Sequence, residues 1–225
     1  MTMKKKHIGL RNCFLALSLM VSLVFPSCLK EGDGSSILLN DPQEIPLITG
    51  FLPEDLLTMF GEANVNFGDQ PPIVDMEFVS NHEYVATNLK PPFAPPVGTI
   101  SPIKHYHKIR QQYLQIADYY SMSSEESLCH LLSPVYLTGY GQKFTVYYFE
   151  EPHTDGSPVH AALFSGELTN AGVRNFMYGY KIVRYNDSIL PPTVYPVNSI
   201  FIFKDHDGLA EKNTWFDESL LEPQN

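Results

Sequence analysis

The sequence predicts an all-β fold: an antiparallel β-sandwich with one short N-terminal helix, or alternatively a closed β-barrel. Three observations carry this. Apolar and polar residues alternate over much of the C-terminal half, as in Phe176, Tyr178, Tyr180 and Ile182 against Asn175, Met177, Gly179 and Lys181. In a strand, such alternation sends the two sets to opposite faces. Turn-forming clusters recur between these runs, at residues 139–142, 153–158 and 169–172. Helix signals are confined to residues 53–61, where Pro53, Glu54 and Asp55 open a short apolar stretch that Gly61 closes.

In order, residues 45–51 read as a first strand and residues 53–61 as the helix. Residues 74–89 are strand-like, with a break near Ser80-Asn81-His82. Residues 90–102 contain five prolines, which bar a central strand or a helix interior and mark a stiff crossing. Residues 103–120 fit both periods; tyrosine-rich alternation favours strand. Residues 135–138 and 143–150 flank Gly139-Tyr140-Gly141-Gln142 as a hairpin. Further strands follow at 159–168, 173–186 and 199–204, and the tail after Gly208 is polar and acidic. Consecutive hairpins make a meander, which a sandwich and a barrel can both contain. Proline-rich crossings favour the sandwich.

The chain opens with Lys4, Lys5, Lys6 and Arg11, followed by 13 residues, 13–25, that are apolar apart from Ser18 and Ser22. A bilayer span needs roughly 20 residues, so this is a secretory signal pattern rather than a transmembrane helix. Leu23-Val24-Phe25-Pro26-Ser27-Cys28 closes the run and resembles the cleavage and lipidation site of bacterial lipoproteins, although Phe25 stands where Leu is usual and Pro26 where Ala or Ser is usual. The resemblance implies cleavage after residue 27, acylation of Cys28 and a partner in the membrane. Residues 29–33, Leu-Lys-Glu-Gly-Asp, resemble acidic signals that route such proteins to the outer face. The organisation is then a signal peptide at 1–27, a lipidated cysteine and flexible tether at 28–44, one β-rich domain at 45–218 and a polar tail at 219–225. The plainer alternative is a soluble secreted protein cut nearby.

Cleavage changes the composition. Residues 1–27 hold four of the 15 basic residues and none of the 25 acidic ones, leaving 11 against 25, a net charge of −14. Nucleic-acid binding needs a basic face, so that class is excluded. Of three cysteines, Cys13 leaves with the signal and Cys28 carries lipid. Cys129 alone remains, read as a small buried hydrophobe, and an internal disulfide has no second thiol.

Three blocks resemble Bacteroides-type surface lipoproteins: residues 136–147 (Tyr-Leu-Thr-Gly-Tyr-Gly-Gln-Lys-Phe-Thr-Val-Tyr), residues 164–169 with Gly172, and residues 203–211 (Phe-Lys-Asp-His-Asp-Gly-Leu-Ala-Glu). The resemblance covers under half of the mature chain. It implies an outer-membrane lipoprotein with a β-rich domain, and it brings no activity.

Candidate chemistry is sparse. His105 and His107 stand two apart, so on a strand both imidazoles face one side and supply two ligands of a zinc site that needs a third. The plainer reading is two surface histidines beside Lys104 and Lys108. Asp205-His206-Asp207-Gly208 suggests a calcium loop, but Phe203 and Thr214 occupy positions where an EF-hand needs acids. A looser structural calcium site would use Asp205, Asp207 and Glu211; otherwise the aspartates bond the turn backbone. The doublets Glu125-Glu126 and Glu150-Glu151 point to opposite faces of any strand, so neither alone makes a glycosidase pair. Tyr178, Tyr180 and Trp215 are candidates for stacking on a glycan or an apolar ligand, against the reading that such aromatics fill the core. The expectation is therefore a lipid-anchored exported protein without a cofactor, acting as a ligand-binding or structural envelope module. The alternatives are an anchored glycan hydrolase and a lipocalin-like carrier of an apolar ligand.

Overall fold

The computed structural model describes residues 46–113, 115–123, 128–130, 134–150, 158–185 and 195–213, with the backbone alone at 113, 122, 123 and 128–130. Cys28, the signal and tether regions, Trp215 and the tail lie outside the described residues.

The all-β expectation holds. After two helical turns, α1 (Ile48–Phe51) and α2 (Glu54–Phe60), come eleven strands: β1 (Asp69–Gln70), β2 (Asp75–Thr87), β3 (Ile100–Tyr113), β4 (Ile116–Ser123), β5 (Leu128–His130), β6 (Val135–Tyr140), β7 (Lys143–Glu150), β8 (Pro158–Thr169), β9 (Gly172–Tyr185), β10 (Ile200–Asp205) and β11 (Leu209–Lys212). The ambiguous stretch at 103–120 is strand, split by a turn into β3 and β4. The acidic tail contributes one more strand than expected, β11, which bridges β2 and β9.

All the strands lie in one sheet, ordered β1-β6-β7-β8-β9-β10-β2-β3-β4-β5, and β4 also pairs with β6. The route β2-β3-β4-β6-β7-β8-β9-β10 therefore returns to β2, and every step is antiparallel. The short β1 adds a parallel pair to β6. Tight turns join β3 to β4, β6 to β7, β8 to β9 and β10 to β11, all at one end of the circuit. At the opposite strand ends the intervals between strands are longer, at 88–99, 124–127, 131–134, 151–157 and 186–199, of which the structure describes 88–99, 134 and 195–199. In the β6–β7 turn, Gly141 takes φ +60°, a value that glycine adopts without strain.

The circuit has an apolar inner face. Val74, Phe78, Ile109, Leu137, Phe144, Val146, Phe164 and Phe176 are fully or almost fully buried in one cluster with residues from β2, β3, β6, β7, β8 and β9. Phe164 meets Phe78, Phe144 and Phe176 at ring-centroid distances of 6.4, 6.3 and 5.8 Å. This half, toward the tight turns, is a filled aromatic core.

The outer face is covered on one side by α1 and α2. Residues 45–51 were expected as a strand; within them Ile48–Phe51 form a helical turn instead. Ile48, Leu52, Leu56 and Phe60 recur every four residues, and all are buried against the sheet. Phe51 packs edge-on against Tyr136, Tyr147 and Phe149. Tyr147 Oη donates to the carbonyl of Pro46 at 2.7 Å, and Lys181 Nζ bonds Asp55 at 2.7 Å. Phe60 sits on Gly179: a Cβ there would lie 2.9 Å from the Phe60 ring and 2.8 Å from Ile202 Cδ1. The helix thus docks where β9 has no side chain.

Gly179→Val should push Phe60 off the sheet and lower stability by about 1–3 kcal/mol, the range for overpacking. Denaturant unfolding checks this. A variant as stable as the parent would mean that α2 does not depend on this contact.

Candidate functional site

The inner face changes character toward the long connections. On β2 the inward residues are Phe78, Ser80, His82 and Tyr84; on β3 they are Ile103, His105, His107 and Ile109. Ser80 pairs with His105 and Phe78 with His107 across the β2–β3 ladder. The register shifts between Asn81 and Glu83, where His82 alone stands opposite the three β3 residues 101–103, so the extra residues belong to β3. β2 itself runs unbroken from Asp75 to Thr87, and the strand break expected near Ser80-Asn81-His82 does not occur. Opposite this irregularity the imidazole of His82 stacks on that of His105, 4.0 Å between centroids and 9° between planes.

His107 is fully engaged. Its Nε2 lies 2.9 Å from Ser80 Oγ and its Nδ1 2.7 Å from Tyr119 Oη. Phe78 stacks on its ring at 4.8 Å. His82 differs. It is 3 % exposed, and its Nε2 has no hydrogen-bond partner. A buried polar atom left unsatisfied costs about 1–3 kcal/mol, so such an atom calls for a partner.

Around His82 stands a column of near-parallel rings. Phe203 lies 5.3 Å away at 26° and Tyr178 5.4 Å away at 26°. Tyr180 continues the column, 6.2 Å from Phe203 at 18° and 5.1 Å from Phe201 at 27°. Tyr178 and Tyr180 were candidates for stacking on a ligand, against the reading that such aromatics fill the core. They point inward, on the same side of β9 as buried Phe176 and Ile182. Yet Tyr178, Tyr180, His105 and Phe203 are only half-buried. Inward residues of a closed sheet that keep accessible surface line space the core does not fill. Toward the long connections, His160 packs on Tyr180 at 4.8 Å and its Nδ1 lies 3.3 Å from Glu150 Oε2.

Burial sets the protonation of these groups. Desolvation pushes His82 and His107 well below the usual histidine value, helped by their neighbouring imidazoles, and lowers His105 to about 4. Burial also raises the phenols of Tyr148, Tyr178 and Tyr180, with smaller contributions from neighbouring phenols and Glu150. At neutral pH the site therefore offers neutral imidazoles and phenol O–H donors.

The sequence placed His105 and His107 on one side of a strand, and they are so placed. Their surroundings are not those of a zinc site: His105 lies face to face with His82, and both nitrogens of His107 are bonded. Asp205 and Asp207 come together but serve the turn. Asp205 accepts the N–H of Asn81 at 2.9 Å, and Asp207 accepts that of Leu209 at 3.1 Å. Burial raises the Asp205 carboxyl, while its hydrogen bond to Asp207 lowers the latter. Glu211 is exposed on β11. Among the described residues, no group of three or more His, Cys, Asp or Glu side chains is placed to hold a metal ion. Sequence reading missed Ser80 and Tyr84 as site residues; His82 and His160 entered only as remote donors that could complete a zinc site, and Glu150 only in an acidic doublet. Their signal was parity: Ser80, His82 and Tyr84 continue the inward register of Phe78.

Comparison with known proteins finds no matching family, no matching curated protein and no matching solved structure.

The buried histidines make stability depend on pH. The unfolded chain takes up protons near pH 6.5 and the folded chain only well below it, so the stabilisation is complete above about pH 7 and is lost as pH falls. For His105 the loss between about pH 6.5 and 4 is up to ~3 kcal/mol. Urea midpoints from pH 7.5 to 4.5 should fall steadily, and His105→Phe should flatten the slope. A slope unchanged in that variant would contradict the placement.

Proposed function

We propose that this chain is an exported, lipid-anchored, non-enzymatic protein that captures a small ligand within its closed sheet. The observation that carries the reading is the pairing of half-buried inward rings, Tyr178 and Tyr180, with the unpartnered Nε2 of His82. Inward aromatic walls that keep accessible surface, with two unmet polar atoms beside them, His82 Nε2 and Tyr84 Oη, are the ingredients of a binding site. Entry from the long-connection end fits the position of the site, since the tight-turn end is packed with phenylalanine.

Binding is favoured over hydrolysis by the placement of the carboxylates. Glu150 lies at the long-connection end beside His160, and Asp205 at the tight-turn end bonded to Asn81. A glycosidase needs two carboxyl groups about 5–10 Å apart across a cleft. Anchoring rests on the resemblance of residues 23–28 to a lipidation site. Among the described residues no helix is long and apolar enough to cross a membrane.

Two measurements test the two halves. The uncharged dye N-phenyl-1-naphthylamine should brighten saturably with the mature chain, and Tyr180→Ala should weaken it roughly tenfold, the loss expected for one aromatic contact. Absence of saturable brightening would remove the binding reading. Cys28→Ala should abolish the acyl mass and release the protein from the membrane fraction; a mutant still membrane-bound, with no acyl mass on the parent, would remove the anchor.

A further inference from the structure

We infer that residues 214–222, which lie outside the described residues, dock across the outer face of β2, β3 and β4 and cover the row formed by Glu77, Lys108 and Tyr120. These three stand opposite one another on adjacent strands, Glu77 with Lys108 and Lys108 with Tyr120. All three point outward, because their neighbours Phe78, Ile109 and Tyr119 belong to the inner core. Outward residues of a closed sheet face water unless something lies over them. Yet Lys108 is 4 % exposed and Tyr120 9 %. The ion pair of Lys108 with Glu77, at 2.9 Å, explains how a buried lysine keeps its charge. It does not explain what keeps water from the row.

The described segments that cover the outer face lie elsewhere. α1 and α2 pack on β6 to β10 and on Val85 at the far end of β2, whereas β3 and β4 stand across the circuit from β8 and β9. Residues 61–74 run past β6 and β7, where the N–H of Asn66 bonds Thr145 Oγ1 and that of Gly68 bonds Thr138 Oγ1. Residues 88–99 close the far end of β2, where the N–H of Gly98 donates to the carbonyl of Tyr84. The C-terminal segment, by contrast, begins at the row itself. The N–H of Asn213 donates to the carbonyl of Glu77 at 2.9 Å. Asn213 also lines a cleft of about 400 Å³ with Glu77, Lys108 and Arg110. Lys108 and Tyr120 are two and three strands from β11, about 10 and 14 Å at the usual sheet spacing, and residues 214–218 extend about 16 Å. The chemistry matches as well. Trp215, Phe216, Leu220 and Leu221 supply apolar cover for the Tyr120 ring and the lysine stem. Asp217, Glu218 and Glu222 bring negative charge, with no basic residue among 213–225, to a β3 face that carries Lys104 and Arg110 on either side of Lys108.

Trp215 is the only tryptophan, so its fluorescence reports the docking directly. In the full mature chain its emission should be blue-shifted, and its quenching by acrylamide several-fold weaker, relative to the urea-unfolded chain. Lys104→Glu combined with Arg110→Glu should move both readings toward the unfolded values, while far-UV circular dichroism shows the sheet intact. Cutting the chain after Asn213 should raise the labelling of Lys108 by acetic anhydride several-fold. Should the cut chain not fold, carbodiimide treatment of the full chain replaces that arm, and should join Asp217 or Glu218 to Lys104 or Lys108. Native emission and quenching equal to those of the unfolded chain would overturn the docking. A shielded Trp215 with Lys108 still protected after the cut, or with none of those cross-links, would place the segment elsewhere and overturn it equally.

Discussion

The constraint on which this structure depends is closure. A strand exposes alternate residues on opposite faces, and a sheet whose pairing returns to its starting strand must enclose one of those sets. The circuit β2-β3-β4-β6-β7-β8-β9-β10 closes through the β4–β6 pairs Ile116 with Tyr136 and Ala117 with Val135. Once it closes, the inward register of β2 is fixed by Phe78, and Ser80, His82 and Tyr84 follow it inside. His105 and His107 follow Ile109 on β3 by the same rule. The histidines are interior because strand parity leaves them no alternative.

Enclosure then decides the chemistry. Imidazoles removed from water lose their proton readily, and phenols removed from water keep theirs. The interior therefore divides into two levels. Toward the tight turns, phenylalanines interlock and leave little unfilled space. Toward the long connections, Tyr178, Tyr180, His105 and Phe203 keep accessible surface, and one imidazole nitrogen has no partner. The outer face has the complementary task of holding the N-terminal segment. It does so with an aromatic cluster around Phe51, the Asp55–Lys181 ion pair and the glycine under Phe60.

Much of the fold was legible in the sequence. The hairpin at 135–150 has the turn that its glycines mark, and β8, β9 and β10 begin and end near the expected residues. The stretch at 45–51 was misread because a short apolar run satisfies both periods. The four-residue spacing that links Ile48 and Leu52 to Leu56 and Phe60 crosses Pro53, where a helix was expected to start. The site was less legible. Parity along β3 put His105 and His107 on one side, but which side is inside depends on closure, a long-range property. His82 gave only an apparent break in a strand pattern. β2 runs through it without interruption, and the irregularity lies on β3, opposite His82. Tyr178 and Tyr180 were singled out as stacking candidates against the reading that such aromatics fill the core, and alternation alone is blind to which face is enclosed.

The most direct measurement is of the histidine ring nitrogens by 15N-resolved NMR as pH is lowered from 7.5 to 5.5. Enclosure predicts that His82, His105 and His107 keep neutral-imidazole shifts throughout, with His107 reporting hydrogen bonds at both nitrogens. Titration of these three rings near pH 6.5, as for imidazoles in water, would contradict the closed, histidine-lined interior on which the proposed site depends.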